Sequence, residues 1–281
     1  MSQSDHQEQR EALLESFIQF NRPEKYIPLP ASGREEEAAA GFFGLALQTY
    51  QSVVSRFDHQ AEQAAGEVLK DSEFLELLSK LPFSKSHKIA VLADALTDDL
   101  QGWFAIFRHI LDLGVPGAAF EYIDASTTDT TSSEALRRIE GSVLVHKPDW
   151  VIIALGSEDA MRPNITTGRC LVSLAEFWEN INTLESAVLA NCSNPPVWIT
   201  PPPALGEQMQ KSPLLPGMVL EEDLKKYREV VAGKKGIVVD PTGTRMGNPP
   251  SAWNYMNDGF HLSLAGHVQT VKTLLKAVAS G

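Results

Sequence analysis

KIAVLADALTDDLQGW, residues 88–103, decides how this chain folds. Its first five residues are a short β-rich apolar run, and the polar turn after them feeds directly into a helical pattern over 99–113. Further apolar runs of the same kind stand at 119–123, 150–155, 197–200 and 236–239. Amphipathic helical patterns at 132–145, 174–190, 221–231 and 263–279 separate and follow them. Strands alternating with helices in this way predict a parallel sheet covered on both faces. The expected class is α/β, a flavodoxin-like, doubly wound, five-stranded parallel sheet. Ser132-Ser133-Glu134 and Ser263 offer side-chain oxygens to cap two of the helices. In such sheets ligands sit at the carboxyl ends of the strands, so the residues just after each strand carry the chemistry.

Before residue 85 the pattern is helical throughout: 11–20, 35–57 and 60–81. Asn21-Arg22-Pro23 closes the first helix, and Pro28 and Pro30 keep the link to the second extended. The second carries a broad apolar stripe that includes Phe42, Leu47, Tyr50 and Val54. The expected division is an N-terminal helical extension, 1–84, packed on an α/β domain, 85–281, where it roofs a cleft.

Composition narrows the partners. The 281 residues carry a formal net charge of −12, which argues against binding a nucleic-acid backbone. No run approaches the roughly 18–20 apolar residues of a membrane span. The polar, acidic first residues lack the form of a signal peptide, so the expected location is cytoplasmic. Cys170 and Cys192 make no disulfide framework, and neither stands at a predicted strand end as a nucleophile. No Gly-rich phosphate loop, dinucleotide fingerprint or Asp-x-Asp-x-Thr pattern follows a strand, so no cofactor and no metal are expected.

The strand ends read Ala93-Asp94-Ala95-Leu96-Thr97-Asp98-Asp99, then Asp124-Ala125-Ser126-Thr127-Thr128-Asp129, then Gly156-Ser157-Glu158-Asp159. Near the C-terminus stands Asp258-Gly259-Phe260-His261-Leu262-Ser263-Leu264-Ala265-Gly266-His267, leading into the last helix. With Lys147-Pro148-Asp149-Trp150 before the third strand, these blocks resemble the SGNH, or GDSL-type, hydrolases from Lys88 to Ala279. That resemblance implies an ester or acyl hydrolase fold, a small acyl ester or similar ligand, and a Ser-His-Asp mechanism. His261 falls on the general base and Asp258 on the residue orienting it, while Asp94, Gly156 and Asp159 support the loops. His267 and Asp94 read as structural, and Asp98 and Asp99 as caps of the following helix.

Two matches fail. The nucleophile position is Ala95, which has no oxygen to attack a carbonyl. The oxyanion-hole positions fall on the backbone of Ala95, on Ala125, and on Glu158 where the family has an asparagine. An ionised carboxylate at 158 would repel an oxyanion. Two readings follow: a hydrolase whose nucleophile has been replaced, or a natural non-catalytic pseudoenzyme or binding protein on the same fold. A third, minor reading has Glu158 as general acid or base in a reaction without a covalent intermediate.

Overall fold

The computed structural model describes residues 13–25, 34–163, 168–212, 215, 217–242, 246–247 and 249–281. Five parallel strands form its main sheet: β1 (Lys88–Ala93), β2 (Glu121–Ser126), β3 (Trp150–Ala154), β5 (Val197–Ile199) and β7 (Val238–Val239). They lie in the order β2-β1-β3-β5-β7, the expected doubly wound arrangement. A short antiparallel ribbon, β4 (Met161–Arg162) against β6 (Met218–Val219), stands apart from it.

Every residue of β1 after Lys88 is buried, because both faces of the sheet are covered. The two-residue period of a strand sends Ala90 and Leu92 to one face, and Ile89 and Val91 to the other. The first face meets α6 (Ser132–Ser142), α7 (Leu174–Asn191) and α9 (Glu221–Ala232) through Ile139, Phe177, Leu184 and Tyr227. The second meets α5 (Trp103–Gly114) and α10 (Leu264–Ser280) through Phe107, Ile110, Val271 and Leu274. Each such side chain contributes about 1.5–3 kcal/mol by leaving water. The two cores together fix the sheet between its helices.

The N-terminal helices join the second core. Helix α3 (Leu47–Leu69) presents Ala61, Ala65 and Val68, and α4 (Ser72–Leu78) presents Phe74 and Leu78. The long pattern at 35–57 is broken: α2 (Glu35–Phe42) stops before Gly44, whose φ of +69° is left-handed, and α3 starts at Leu47. The pattern at 60–81 therefore begins inside α3 and divides where the Asp71 side chain accepts from Glu73 N–H to cap α4. Residues 13–20 are helical as expected (we label them α1), whereas Pro28 and Pro30 lie outside the described residues.

Two helix starts or caps differ from the sequence reading. Helix α5 begins at Trp103, not at 99, because Asp98 and Asp99 spend their carboxylates elsewhere, as shown below. The cap of α6 is Thr131, in a reciprocal capping box with Glu134; Ser132 is the first helical residue. Ser263 caps α10 as expected, accepting from Gly266 N–H. Among the described residues, no helix is long and apolar enough to cross a membrane.

Because α3 and α4 share the core of α5 and α10, deleting residues 1–84 should expose a large apolar face. The expected outcome is aggregation or a lowered Tm, read by size-exclusion chromatography and thermal unfolding. A truncated chain as soluble and stable as its parent would contradict this.

Candidate functional site

The loop after β1 is built around Asp94. Its N–H donates to the Ala154 carbonyl at the end of β3 (3.2 Å), and its own carbonyl accepts from Thr97 and Asp98 N–H. Its buried carboxyl accepts from Leu96 N–H at 3.2 Å and Ser157 N–H at 3.3 Å, drawing the loops after β1 and β3 together. Trp103 Nε1–H then bonds Thr97 Oγ1 at 3.0 Å and joins the loop to α5. Ala95 sits in this frame, only 1% exposed. Its N–H has no hydrogen-bond partner among the described residues.

The turn before α10 faces it across a cleft of about 320 Å³ whose lining includes Ala95, Glu158, Asp258 and His261. Gly259 makes the turn possible: its φ is +73°, and a Cβ there would lie 2.7 Å from the Leu205 carbonyl. Asp258 Oδ1 accepts from the N–H groups of Phe260 and His261, both at 2.9 Å, and Oδ2 takes His261 Nδ1 at 2.8 Å. Burial alone would raise the Asp258 carboxyl, but the bond and charge of His261 hold it below its ordinary value. With Nδ1 engaged, Nε2 is the nitrogen left for a ligand. Phe20 of α1 covers the ring, centroid to centroid 4.3 Å.

The loop after β3 brings Gly156, Glu158 and Asp159. Gly156 has φ +121° and packs where a side chain would press on Phe177 and Pro201. Asp159 accepts Ser132 N–H at 3.0 Å and Ser132 Oγ at 2.5 Å, tying this loop to α6. Glu158 is buried at the cleft wall. Burial pushes the Asp94 carboxyl up to about 7 and that of Asp159 to about 6, against the hydrogen bonds they accept. Burial, then the charges of Asp94, Asp129 and Asp159, lift Glu158 well above the carboxylate range. That shift favours the protonated form of Glu158, which can donate a hydrogen bond, whereas an ionised carboxylate there would repel an oxyanion.

Ala125 requires a correction. It lies within β2, paired with Leu92 and buried, and its carbonyl accepts from Arg138, so it does not reach the cleft. The residues of that loop on the cleft are Thr128 and Asp129; the φ of +57° at Asp129 turns the backbone left-handed, and its N–H has no partner among the described residues. Aspartate is one of the few side chains that accept this conformation, and that was the available signal.

Asp98, Asp99 and Asp124 have a role that sequence reasoning missed. Arg22 bonds Asp98 and, at 2.8 Å, Asp124; Lys25 lies 3.0 Å from Asp98 and 2.9 Å from Asp124. Gln19 Nε2–H donates to Asp99, which also meets the buried His267 at 3.0 Å. These contacts latch residues 13–25 over the strand ends, so that Leu13, Phe17 and Phe20 line the cleft. His267 serves this latch, in keeping with its structural reading.

A parallel sheet in this order, with an Asp-His pair on the turn before the last helix and a buried acid in the first loop, defines an SGNH-type α/β hydrolase architecture. Residues 88–269 match the model of the GDSL-like lipase/acylhydrolase family, and the chain belongs to that family. Among solved structures it is similar to a lipase/acylhydrolase from Enterococcus faecalis, with 23% identity, TM-score 0.55, and coverage of 69% of this chain and 96% of that one. It is also similar to Axe2, an acetylxylan esterase from Geobacillus stearothermophilus, with 19% identity, TM-score 0.56, and coverage of 68% and 94%. LAE5, an α/β hydrolase from the Lake Arreo metagenome, gives 19% identity, TM-score 0.56, and coverage of 70% and 96%. No curated protein matches the chain.

The raised carboxyls set the pH response of stability. Asp94, near 7, and Asp159, near 6, hold protons in the fold that the unfolded chain binds only near its ordinary range. Stability should therefore rise as pH falls from about 8 to about 5, by at most about 1.4 kcal/mol per pH unit for each proton taken up. Asp124, held low mainly by Arg22 and Lys25 against burial, acts in reverse and loses its contribution only as pH falls through the carboxylate range. Denaturant titrations across this span check the sign; stability increasing from pH 5 to 8 would refute it.

Proposed function

We propose that this chain is a non-hydrolytic member of its family, whose cleft binds a small acyl ester or similar carbonyl ligand without forming a covalent intermediate. The observation that carries the reading is Ala95: a methyl group stands in the nucleophile loop, while the loop frame around Asp94 is fully bonded. The binding half of the machinery remains. Backbone N–H groups of Ala95 and Asp129 are unpartnered among the described residues. Together they suit a carbonyl oxygen. The ester class is carried over from the acylhydrolase and acetylxylan esterase that the fold resembles.

A second reading, a hydrolase that has lost only its nucleophile, draws support from the intact His261–Asp258 pair. In that case a serine hydroxyl at 95 would give its proton to His261 Nε2 and attack the carbonyl, and Asp258 would stabilise the imidazolium. Glu158 and Asp129 weigh against it, since one replacement at 95 explains neither.

The chain as it stands should take up no adduct from a fluorophosphonate probe. Intact-mass measurement reads this directly, and stoichiometric labelling of any serine or threonine would overturn the proposal.

Ala95→Ser should restore little aryl-ester hydrolysis, and Ala95→Ser with Glu158→Asn should recover more, because one ill-suited oxyanion donor costs about 10²–10³ in rate. Steady-state assays with His261→Ala as the blank decide between the readings. Strong activity from Ala95→Ser alone would favour the hydrolase.

A further inference from the structure

We infer that the ligand of this cleft carries a small alkylammonium group, seated beside Glu158 and Asp129 and walled by Phe17, Phe20 and Phe260; the inference rests on the ligand-binding reading above. Its first support is Glu158. The residue is 4% exposed, lines the cleft, and accepts no side-chain hydrogen bond from the described residues. A buried carboxyl without a partner is costly, and the partner missing from the protein is one a ligand can bring. The groups facing it are all acidic or already engaged. Asp94 and Asp159 stand behind it, Asp129 is on the neighbouring loop, and Asp258 lies across the cleft bonded to His261. None of the described lining residues is lysine or arginine, and Arg22 and Lys25 nearby are held by Asp98 and Asp124. A cation is the complement of this wall.

The second support is independent of charge. Phe17, on α1, is 54% exposed although it is a large apolar side chain, and it faces the same cleft as Phe20 and Phe260. Aromatic faces attract cations, and they do so best when the cation carries alkyl groups and gives up its water easily. Leu13, Met161 and Leu215 extend the apolar lining around them. A bare metal ion suits this poorly, since no three His, Cys, Asp or Glu side chains among the described residues converge to hold one. Methyl groups on nitrogen suit it well.

Proton linkage follows. Burial and the neighbouring acids favour the protonated form of Glu158, a cation favours its ionised form, and so binding strengthens as pH rises. A neutral ester gains nothing from that ionisation.

The test compares two probes of one shape: acetylcholine and its neutral carbon isostere, 3,3-dimethylbutyl acetate. Titration calorimetry with the full chain should give acetylcholine at least about tenfold tighter binding, a preference that grows from about pH 6 to about pH 8. Glu158→Gln should abolish most of the preference and its pH dependence; Asp129→Asn should reduce it in part. Unchanged thermal unfolding confirms that both variants fold. Equal binding of the two probes, or tighter binding of the neutral one, overturns the ammonium inference and leaves the ester-binding reading standing. A preference that survives both variants overturns the assignment to these carboxyls. Binding of neither probe at about 10 mM removes the inference and the ester-binding reading together.

Discussion

One buried carboxyl organises the strand ends. Asp94 closes β1, and with its two oxygens it collects backbone N–H groups from its own loop and from the loop after β3. Those bonds set the separation between Ala95 and Glu158, which are neighbours of the donors. The carboxyl is fully enclosed, so its bonds are made in a low-dielectric setting where each is strong and its loss is expensive. The cleft floor is thus positioned by hydrogen bonds within the sheet domain and does not depend on what side chain stands at 95. That explains how the frame of a nucleophile loop persists around a methyl group.

The roof is positioned by different physics. Arg22, Lys25, Asp98 and Asp124 form a compact cluster of two cations and two anions with little solvent contact. Such a cluster contributes little net stability against an apolar replacement, yet removing one member costs about 3–5 kcal/mol because a charge is left unpaired. Its value is positional: it holds α1 in one register, with Phe20 on His261 and Phe17 at the cleft mouth. The Phe20 carbonyl accepts from the Thr128 hydroxyl and the Gln19 carbonyl from Leu100 N–H, so bonds to the arm's backbone repeat the same placement.

The sheet was legible in the sequence because its signals are local. Five β-rich runs and five helices recur with clear periodicity, and the Asp258–His261 spacing places both side chains on one tight turn. Helix boundaries slipped where a side chain had two possible uses. Asp98 and Asp99 look like caps when only their neighbours are considered, but Arg22, Lys25, Gln19 and His267, which also bond them, are 73 to 168 residues away. Ala125 and Asp129 were confused for a similar reason: where β2 ends is decided by pairing with β1, which runs on to Ser126. The raised carboxyl of Glu158 had no local signal at all. Its surroundings come from three loops, and burial, which no short stretch reveals, is the largest cause of the upward shift.

The latch also has an evolutionary corollary. The family-matched segment is 88–269, while α1 and the basic residues that follow it, Arg22 and Lys25, lie well upstream. Floor and roof of the cleft therefore come from different stretches of the chain, one inside the family-matched segment and one outside it, joined through Asp98, Asp99 and Asp124 and through the carbonyls of Gln19 and Phe20. Relatives that keep the segment but carry another N-terminal arm would inherit the same polar floor beneath a different apolar wall. Selectivity in such a lineage could then diversify by exchanging the arm, with the sheet and its hydrogen-bonded loops left untouched.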